Sequence, residues 1–217
     1  MKVLAIVQAR MGSSRLPGKM LLKVKSKTII EILLDRLSNA KLVDKIIVAT
    51  SLNSNNKILT SHLKDLNYDF FCGSEKDVLS RYVKLIDLFN PKVIIRVTGD
   101  CPLVDPKIVD KFIKIFQRNQ YDYVSNTYPH TFPNGFDVEV ISPKALLSSF
   151  KLDTSKINKE HVTHYIKKST KFSIYNIRTK KNNFAYRVTL DRKKDFLIIK
   201  KIFKYFNYNF NIPYSQI

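Results

Sequence analysis

Tryptophan is missing from this 217-residue chain, cysteine occurs twice and glycine only five times. The two thiols, Cys72 and Cys101, are too few for a disulfide framework and lie at no metal-binding spacing, so a reducing, cytoplasmic setting is expected. Long apolar runs are also missing. Val3 to Val7 is too short for the core of a signal peptide and leads straight into Gln8 and Arg10. No segment approaches the roughly 18 apolar residues that cross a bilayer, so membrane insertion is not expected. Acidic residues are scarce, 18 against 38 Lys and Arg, which leaves a formal charge of +20. That excess invites a nucleic-acid or anionic-membrane partner. The cations are dispersed, however, and no basic helix or RNA-stacking motif gathers them. Abundant Lys, Asn and Ile fit a compositional bias that spreads Lys over solvated faces, and no nucleic-acid partner is expected.

What the chain does contain is an ordinary core, with 44% hydrophobic and 26% charged residues, enough for a single α/β domain over 1–217. Linker-like composition and internal repeats are both absent. The first half alternates strand and helix. Lys2–Gln8 reads as a buried strand, and Thr28-Ile-Ile-Glu31 as a capping box opening a helix to about Asn39. Lys45–Thr50 is a second strand, 56–66 a helix, Tyr68–Cys72 a short strand and Glu75–Phe89 a helix. Lys92–Thr98 is another buried strand. Repeated βα units predict a mostly parallel central sheet with helices on both faces. Ligands of such sheets sit beyond the carboxyl ends of the strands. The second half changes character: a helix over 106–118, strands at 121–126 and 137–141, and a helix near 159–168. Strand-like runs follow at 172–177 and 184–190, then a helix over 192–206. This pattern predicts a small β-rich lobe, and 213–217 reads as the start of one more element.

The most informative stretch is Gln8-Ala-Arg-Met-Gly-Ser-Ser-Arg-Leu-Pro-Gly-Lys19, which follows the first strand directly. Small residues let backbone amides approach phosphate oxygens, and Arg10, Arg15 and Lys19 supply neutralising charge, so the loop suits a polyphosphate. It lacks the Walker A spacing. Asp100 follows a buried strand and precedes a cysteine and a proline, which presents its carboxylate at the sheet edge. Asp191 ends a strand-like run just before a helix. Residue types alone leave both open between local capping and convergence on Mg²⁺, which takes hard oxygen ligands together with phosphates.

Ala9-Arg10-x-x-Ser13-Ser14-Arg15-Leu16-Pro17-Gly18-Lys19 resembles the signature of the sugar-acid cytidylyltransferases, the group that includes CMP-Kdo and acylneuraminate synthetases. Arg96-Val-Thr-Gly-Asp-Cys-Pro-Leu-Val-Asp105 resembles the second signature of its spore-coat-polysaccharide-type branch. Asn134-Gly-Phe-Asp-Val-Glu139, Glu160-His161-Val162-Thr163 and Thr189-Leu-Asp191-x-x-x-Asp195-Phe196 continue the match in order. The resemblance implies a nucleotide-diphospho-sugar-transferase-like, Rossmann-like α/β fold and transfer of CMP from CTP to a sugar acid, releasing pyrophosphate. The CMP-sugar would serve surface polysaccharide synthesis in the cytoplasm. It assigns 1–120 to the nucleotide and 121–217 to the sugar and to an expected homodimer contact.

On the same resemblance Ala9, Arg10, Ser13, Ser14, Arg15 and Lys19 bind the triphosphate, with Arg15, Lys19 and Asp100 in catalytic roles. Asp100 and Asp191 hold Mg²⁺. Gly73, Ser74 and Arg81 contact the nucleotide, as do Thr98 and Gly99 at the strand end. For that segment the residues equally allow a Ser74-capped helix with a solvent-exposed Arg81. Asn126, Asn134, Asp137, Glu139 and His161 fall where the sugar pocket is expected, His161 serving equally well as a structural hydrogen-bonding group. Gly-Asp-Cys-Pro stands where some relatives read Gly-Asp-Glu-Pro, which sets the chain apart from the CMP-Kdo branch and makes Cys101 a packing residue. Two alternatives stay open: the same fold with another nucleotide or acceptor, and a basic nucleic-acid-binding protein.

Overall fold

Val and Ile crowd the central strands because strands covered on both faces must be apolar throughout, and β-branched side chains suit the pleated backbone. The computed structural model describes residues 2–217. β1 (Val3–Gln8) runs into a short helical turn (Lys19–Leu21), a hairpin of β2 (Lys23–Val24) and β3 (Lys27–Thr28), and then α1 (Ile29–Leu37). Next come β4 (Lys45–Ser51), α2 (Lys57–Asp65), β5 (Phe70–Gly73), α3 (Val78–Phe89) and β6 (Val93–Thr98), as the alternation predicts. Beyond α4 (Pro106–Asn119) lie β7 (Tyr123–Ser125), β8 (Glu139–Ile141), α5 (Pro143–Leu152), α6 (Lys156–His161), α7 (His164–Lys168), β9 (Ile174–Asn176) and α8 (Lys193–Tyr205).

The strands form one seven-stranded sheet in the order β5-β4-β1-β6-β8-β7-β9. It is mostly parallel; β8 alone runs against its neighbours β6 and β7. One face packs on α1, α2, α4 and α8 through residues such as Ile29, Leu63, Phe112 and Phe203. The other packs on α3, α5 and the α6–α7 segment through Leu79, Tyr82, Leu146 and Ile166. The expected β-rich second half is continuous with the main sheet, and the only separate strand pair among the described residues is the β2–β3 hairpin.

Local chemistry explains the agreement and the departures. Thr28 and Glu31 form the expected capping box on α1, which satisfies two otherwise orphaned amides. α5 was not anticipated, although Ser142 caps it by accepting from the Ala145 amide at 3.0 Å and Pro143 takes its first position. The helix expected near 159–168 is two short helices, because Val162 adopts φ 57° and ψ −54°. There the Thr163 amide bonds to the His161 carbonyl at 2.5 Å, a γ-turn that is strained for a β-branched residue. The run 184–190 is not a strand; its one ladder-type pairing is the bridge between Arg187 and Asn134, and single hydrogen bonds to Asn134 and Asp100 hold the rest. Gly135, at φ 119°, makes that approach possible, since a Cβ there would stand 2.6 Å from the Thr189 amide.

One buried side chain ties the end of the chain to the core. Arg36 of α1 donates to the carbonyls of Val104, Leu103 and Ile212 at 2.9, 3.1 and 2.8 Å, and also to that of Phe210. Burial lowers its pKa to about 10, and nearby Asp105 opposes the shift. The same Asp105 caps α4 and accepts from the Tyr214 amide at 2.6 Å. The element expected at 213–217 is a single helical turn, Tyr214–Gln216, seated on Phe132 and Phe136.

Candidate active site

The carboxyl ends of β1 and β6 open onto a cleft of about 480 Å³ lined by the cationic loop, α3, α6 and Asp191. The loop keeps its shape through its own backbone and one distant anchor. Met11 accepts from the amides of Ser13 and Gly18 at 2.9 and 3.2 Å. The Met11 amide donates to Asn56 Oδ1 at 2.8 Å, and Asn56 is itself held by Ser51 Oγ at 2.7 Å. Asn56 is a buried polar residue that nothing in the sequence pattern singles out. Among the described residues, no hydrogen bond takes up the amides of Gly12, Ser14 and Arg15, which leaves donors for an anion. Gly99 closes the loop against β6, because a Cβ there would sit 2.8 Å from Met20 Sδ and 2.9 Å from Ala9 Cβ.

Lys19 is the hub. Its side chain is nearly buried, and Nζ donates to the Leu190 carbonyl at 2.7 Å, Asp100 Oδ2 at 3.2 Å and Asp191 Oδ1 at 3.3 Å. Two carboxylates 91 positions apart in sequence therefore meet at one ammonium group, the convergence that residue types left open. Neither serves as the cap considered for it. The Asp191 and Arg192 amides, which precede α8, donate to Asp195 Oδ2 at 2.9 Å each. Asp191 also meets Arg15 at 3.2 Å and Arg187 at 2.6 Å. Burial alone would raise its pKa, but Arg187, Lys19 and Arg15 together hold it below the usual carboxylate range. Arg187 had no place in the sequence reading; its position four residues before Asp191 is the only hint. Asp100 Oδ1 has just the Cys101 thiol, at 3.8 Å. Burial, with Asp100 and Asp137 adding to it, pushes that thiol well above its ordinary pKa, so Cys101 is an inert packing residue.

Both carboxylates reach the same Nζ, so they are close enough to share one cation, and their oxygens are the hard donors Mg²⁺ prefers. No cluster of three or more His, Cys, Asp or Glu suitable for a metal occurs among the described residues. A metal here fits only if phosphate oxygens and water complete its shell, which is the usual way Mg²⁺ is held in nucleotide sites.

On the opposite wall Arg81 is fully buried, which corrects the solvent-exposed alternative. Its guanidinium donates to the carbonyls of Ser74, Ala49 and Glu75 at 2.7, 3.3 and 3.4 Å. Ser74 Oγ accepts from the Asp77 amide, and Asp77 rather than Ser74 caps α3. Gly73 lets the Arg81 stem pass, its would-be Cβ lying 3.0 Å from Arg81 Cγ. Gly73 and Ser74 thus support Arg81 and do not line the cleft, whereas Ala9, Arg10, Ser13, Ser14, Arg15, Thr98 and Gly99 do.

The second-half residues separate in the same way. His161 is exposed and lines the cleft beside Glu160. Asn126 is consumed by the backbone, with Nδ2 donating to the Phe136 carbonyl at 2.8 Å and Oδ1 accepting from the Val138 amide at 3.0 Å. Asn134 lies outside the cleft, and its backbone pairs with 186 and 188. Glu139 is buried beneath the cleft, where Arg96, Tyr123, Thr163 (2.8 Å) and Lys167 (2.9 Å) surround its carboxylate. Burial would raise its pKa, but the charges of Arg96 and Lys167 and the hydrogen bonds hold it far below the ordinary value.

Asp137, next to this network, faces the opposite balance. Its Oδ1 is buried without a hydrogen-bond partner, and His130 Nε2 stands 3.7 Å away. Burial first, then the charges of Glu139 and Asp100, raise its pKa to about 7. An acid that holds its proton more tightly when folded loses stability as pH rises from its unfolded pKa of 3.8 toward about 7. Asp137→Asn is therefore expected to melt several degrees above the parent at pH 8 and level with it near pH 4, as thermal unfolding at both pH values would show.

The sequence profile of a family described as cytidylyltransferase matches residues 4–216. A relative named spore coat polysaccharide biosynthesis protein SpsF, from Bacillus subtilis, is 34% identical over 212 residues, covering 93% of this chain and 86% of its own length. An 8-amino-3,8-dideoxy-manno-octulosonate cytidylyltransferase from a Shewanella species is 29% identical over 142 residues, 64% of this chain and 57% of that protein. The solved structure of a cytidylyltransferase from Leptospira borgpetersenii superposes with a TM-score of 0.95 at 31% identity, covering all of this chain and 92% of that one.

Proposed function

Because the chain belongs to the cytidylyltransferase family, we propose that it activates a sugar acid with CTP, releasing pyrophosphate and forming a CMP-sugar for surface polysaccharide synthesis. The observation that carries this reading is Lys19, which joins the anion-binding loop to Asp100 and Asp191 in one cleft. The Bacillus relative's part in polysaccharide biosynthesis and the Shewanella relative's octulosonate substrate support a sugar acid as acceptor.

In this mechanism the loop amides, with Arg10, Ser13 and Ser14, seat the triphosphate, and Arg81 shapes the nucleotide wall. The acceptor's hydroxyl oxygen attacks the α-phosphorus in line, its O–P bond forms, and the bond to the β-phosphate oxygen breaks. Arg15 and Lys19 stabilise the charge that grows on the departing pyrophosphate, and the hydroxyl proton passes to solvent. Mg²⁺ held by Asp100 and Asp191 would supply Lewis-acid charge to the phosphates and acidify the hydroxyl. His161 borders the acceptor side. The nucleotide is assigned mainly to 1–120 and the acceptor mainly to 121–217. Among the described residues no helix is long and apolar enough to cross a membrane, and CTP supply favours the cytoplasm. Tyr186, Ile198 and Tyr205, exposed on one apolar groove of the second half, offer the surface for the expected homodimer.

Thermal shift with each nucleoside triphosphate, with and without Mg²⁺, tests the reading. CTP at about 100 times its Kd is expected to add about 2.7 kcal/mol of stability, with Mg²⁺ required and UTP and GTP far weaker. Equal shifts from all four nucleotides would point to the same fold with another donor. No shift with any of them, together with salt-sensitive RNA binding, would favour the nucleic-acid alternative.

A further inference from the structure

Arg96, on β6 next to β1, lines the cleft together with the phosphate loop, and the nucleotide mechanism above gives it no part. It shares a strand face with Thr98, and its partners are on β1 and on β8 of the second half. Its NH2 donates to Gln8 Oε1 at 3.2 Å, and its NH1 is paired with Glu139. Glu139 is shared, because Lys167 also binds it at 2.9 Å. Two cations thus stand against Glu139, and Asp137 beside them keeps its proton up to about pH 7, so positive charge predominates beneath the cleft below that pH. Arg96 Nε and the hydroxyl of neighbouring Tyr82 are both buried and make no well-formed hydrogen bond, having little but each other to interact with. Unpaired buried donors and an unbalanced buried charge are costly unless an anion arrives.

We infer that Arg96, backed by Lys167, receives the carboxylate of the acceptor, so that the acid group itself is what the site selects. The planar guanidinium suits a carboxylate, and the Glu139 and Gln8 contacts hold it in place beforehand. Phosphate is the poorer match, because Arg10, Arg15 and Lys19 of the loop already serve the phosphates. The assignment rests on the sugar-acid reading above and deepens it.

The test compares pyrophosphate release from CTP with 3-deoxy-manno-octulosonate and with its C1 carboxamide, in the parent and in Arg96→Gln. The parent is expected to prefer the acid, and Arg96→Gln to raise KM for the acid about 10–100-fold, the range of a charged hydrogen bond. KM for CTP and the CTP-induced thermal shift should stay at parent values, as should the weak reaction of the carboxamide. Arg96→Gln/Glu139→Gln, which removes both buried charges, keeps the comparison valid if the single variant folds poorly. Equal use of acid and carboxamide by the parent overturns the inference, as does an unchanged KM in the variants or no reaction with the acid while CTP still binds. Failure of the parent to bind CTP at all would instead overturn the cytidylyl reading on which it rests.

Discussion

Asp100→Asn is expected to slow pyrophosphate release by about 10²–10³-fold, roughly 3–4 kcal/mol of transition-state stabilisation, with little change in melting temperature. The carboxylate is the less encumbered of the pair at Lys19, since its Oδ1 meets only a protonated thiol at 3.8 Å. The Asn side chain keeps one acceptor for Lys19 but loses the charge that would hold a divalent cation. Lys19→Met should cost a similar factor for a different reason. It removes a donor to the leaving phosphates and leaves Asp100 and Asp191 facing each other without the ammonium that now bonds both. Single-turnover rates at saturating CTP and Mg²⁺ separate the two, because excess Mg²⁺ should recover part of the first loss and none of the second. Turnover like the parent's in Asp100→Asn would remove this carboxylate from the metal site.

Glu139→Leu should be the most destabilising single change beneath the cleft, by about 3–5 kcal/mol, because it leaves the buried Arg96 guanidinium without its counter-charge. For a chain of this size that is about 6–20 °C in melting temperature. Glu139 has a depressed pKa, so its contribution is complete above its unfolded value of 4.5 and fades as pH falls toward the folded value. The gap between parent and variant should narrow by about 1.4 kcal/mol per pH unit below 4.5. Urea unfolding at pH 7 and pH 3.5 measures it. Arg96→Met/Glu139→Leu should recover much of the loss, since replacing both charges by apolar groups removes the unpaired ion. A gap that did not change with pH would mean that packing, not charge, holds this corner together.

Most of the first half was legible because its signals are local. Apolar strands of five or six residues, helices with one apolar face and a Thr28–Glu31 box each announce themselves within a dozen positions. The cationic loop was legible for the same reason, with small residues and three cations following a buried strand. The second half was harder. Val162 breaks a helix by a backbone geometry that its side chain disfavours, and 184–190 looks like a strand yet is held by isolated contacts. Asn126 and Glu139 resemble ligand-binding polar residues in sequence, but a buried polar group that serves the backbone and one that serves a substrate are spelled alike.

The sequence by itself determined the strand–helix alternation, the edge of the sheet where a ligand must sit, and the loop that can hold a polyphosphate. These follow from periodicity, residue size and charge, which act over short stretches of chain. Only the tertiary structure decided which distant groups meet. It brought Asp100 and Asp191 to Lys19, buried Arg81 against three carbonyls, placed Arg96 and Lys167 around one carboxylate, and left Asp137 Oδ1 beside them without a hydrogen bond. Burial and proximity set the charge state and reach of each of these groups, and neither is a property of a residue until the chain has folded around it.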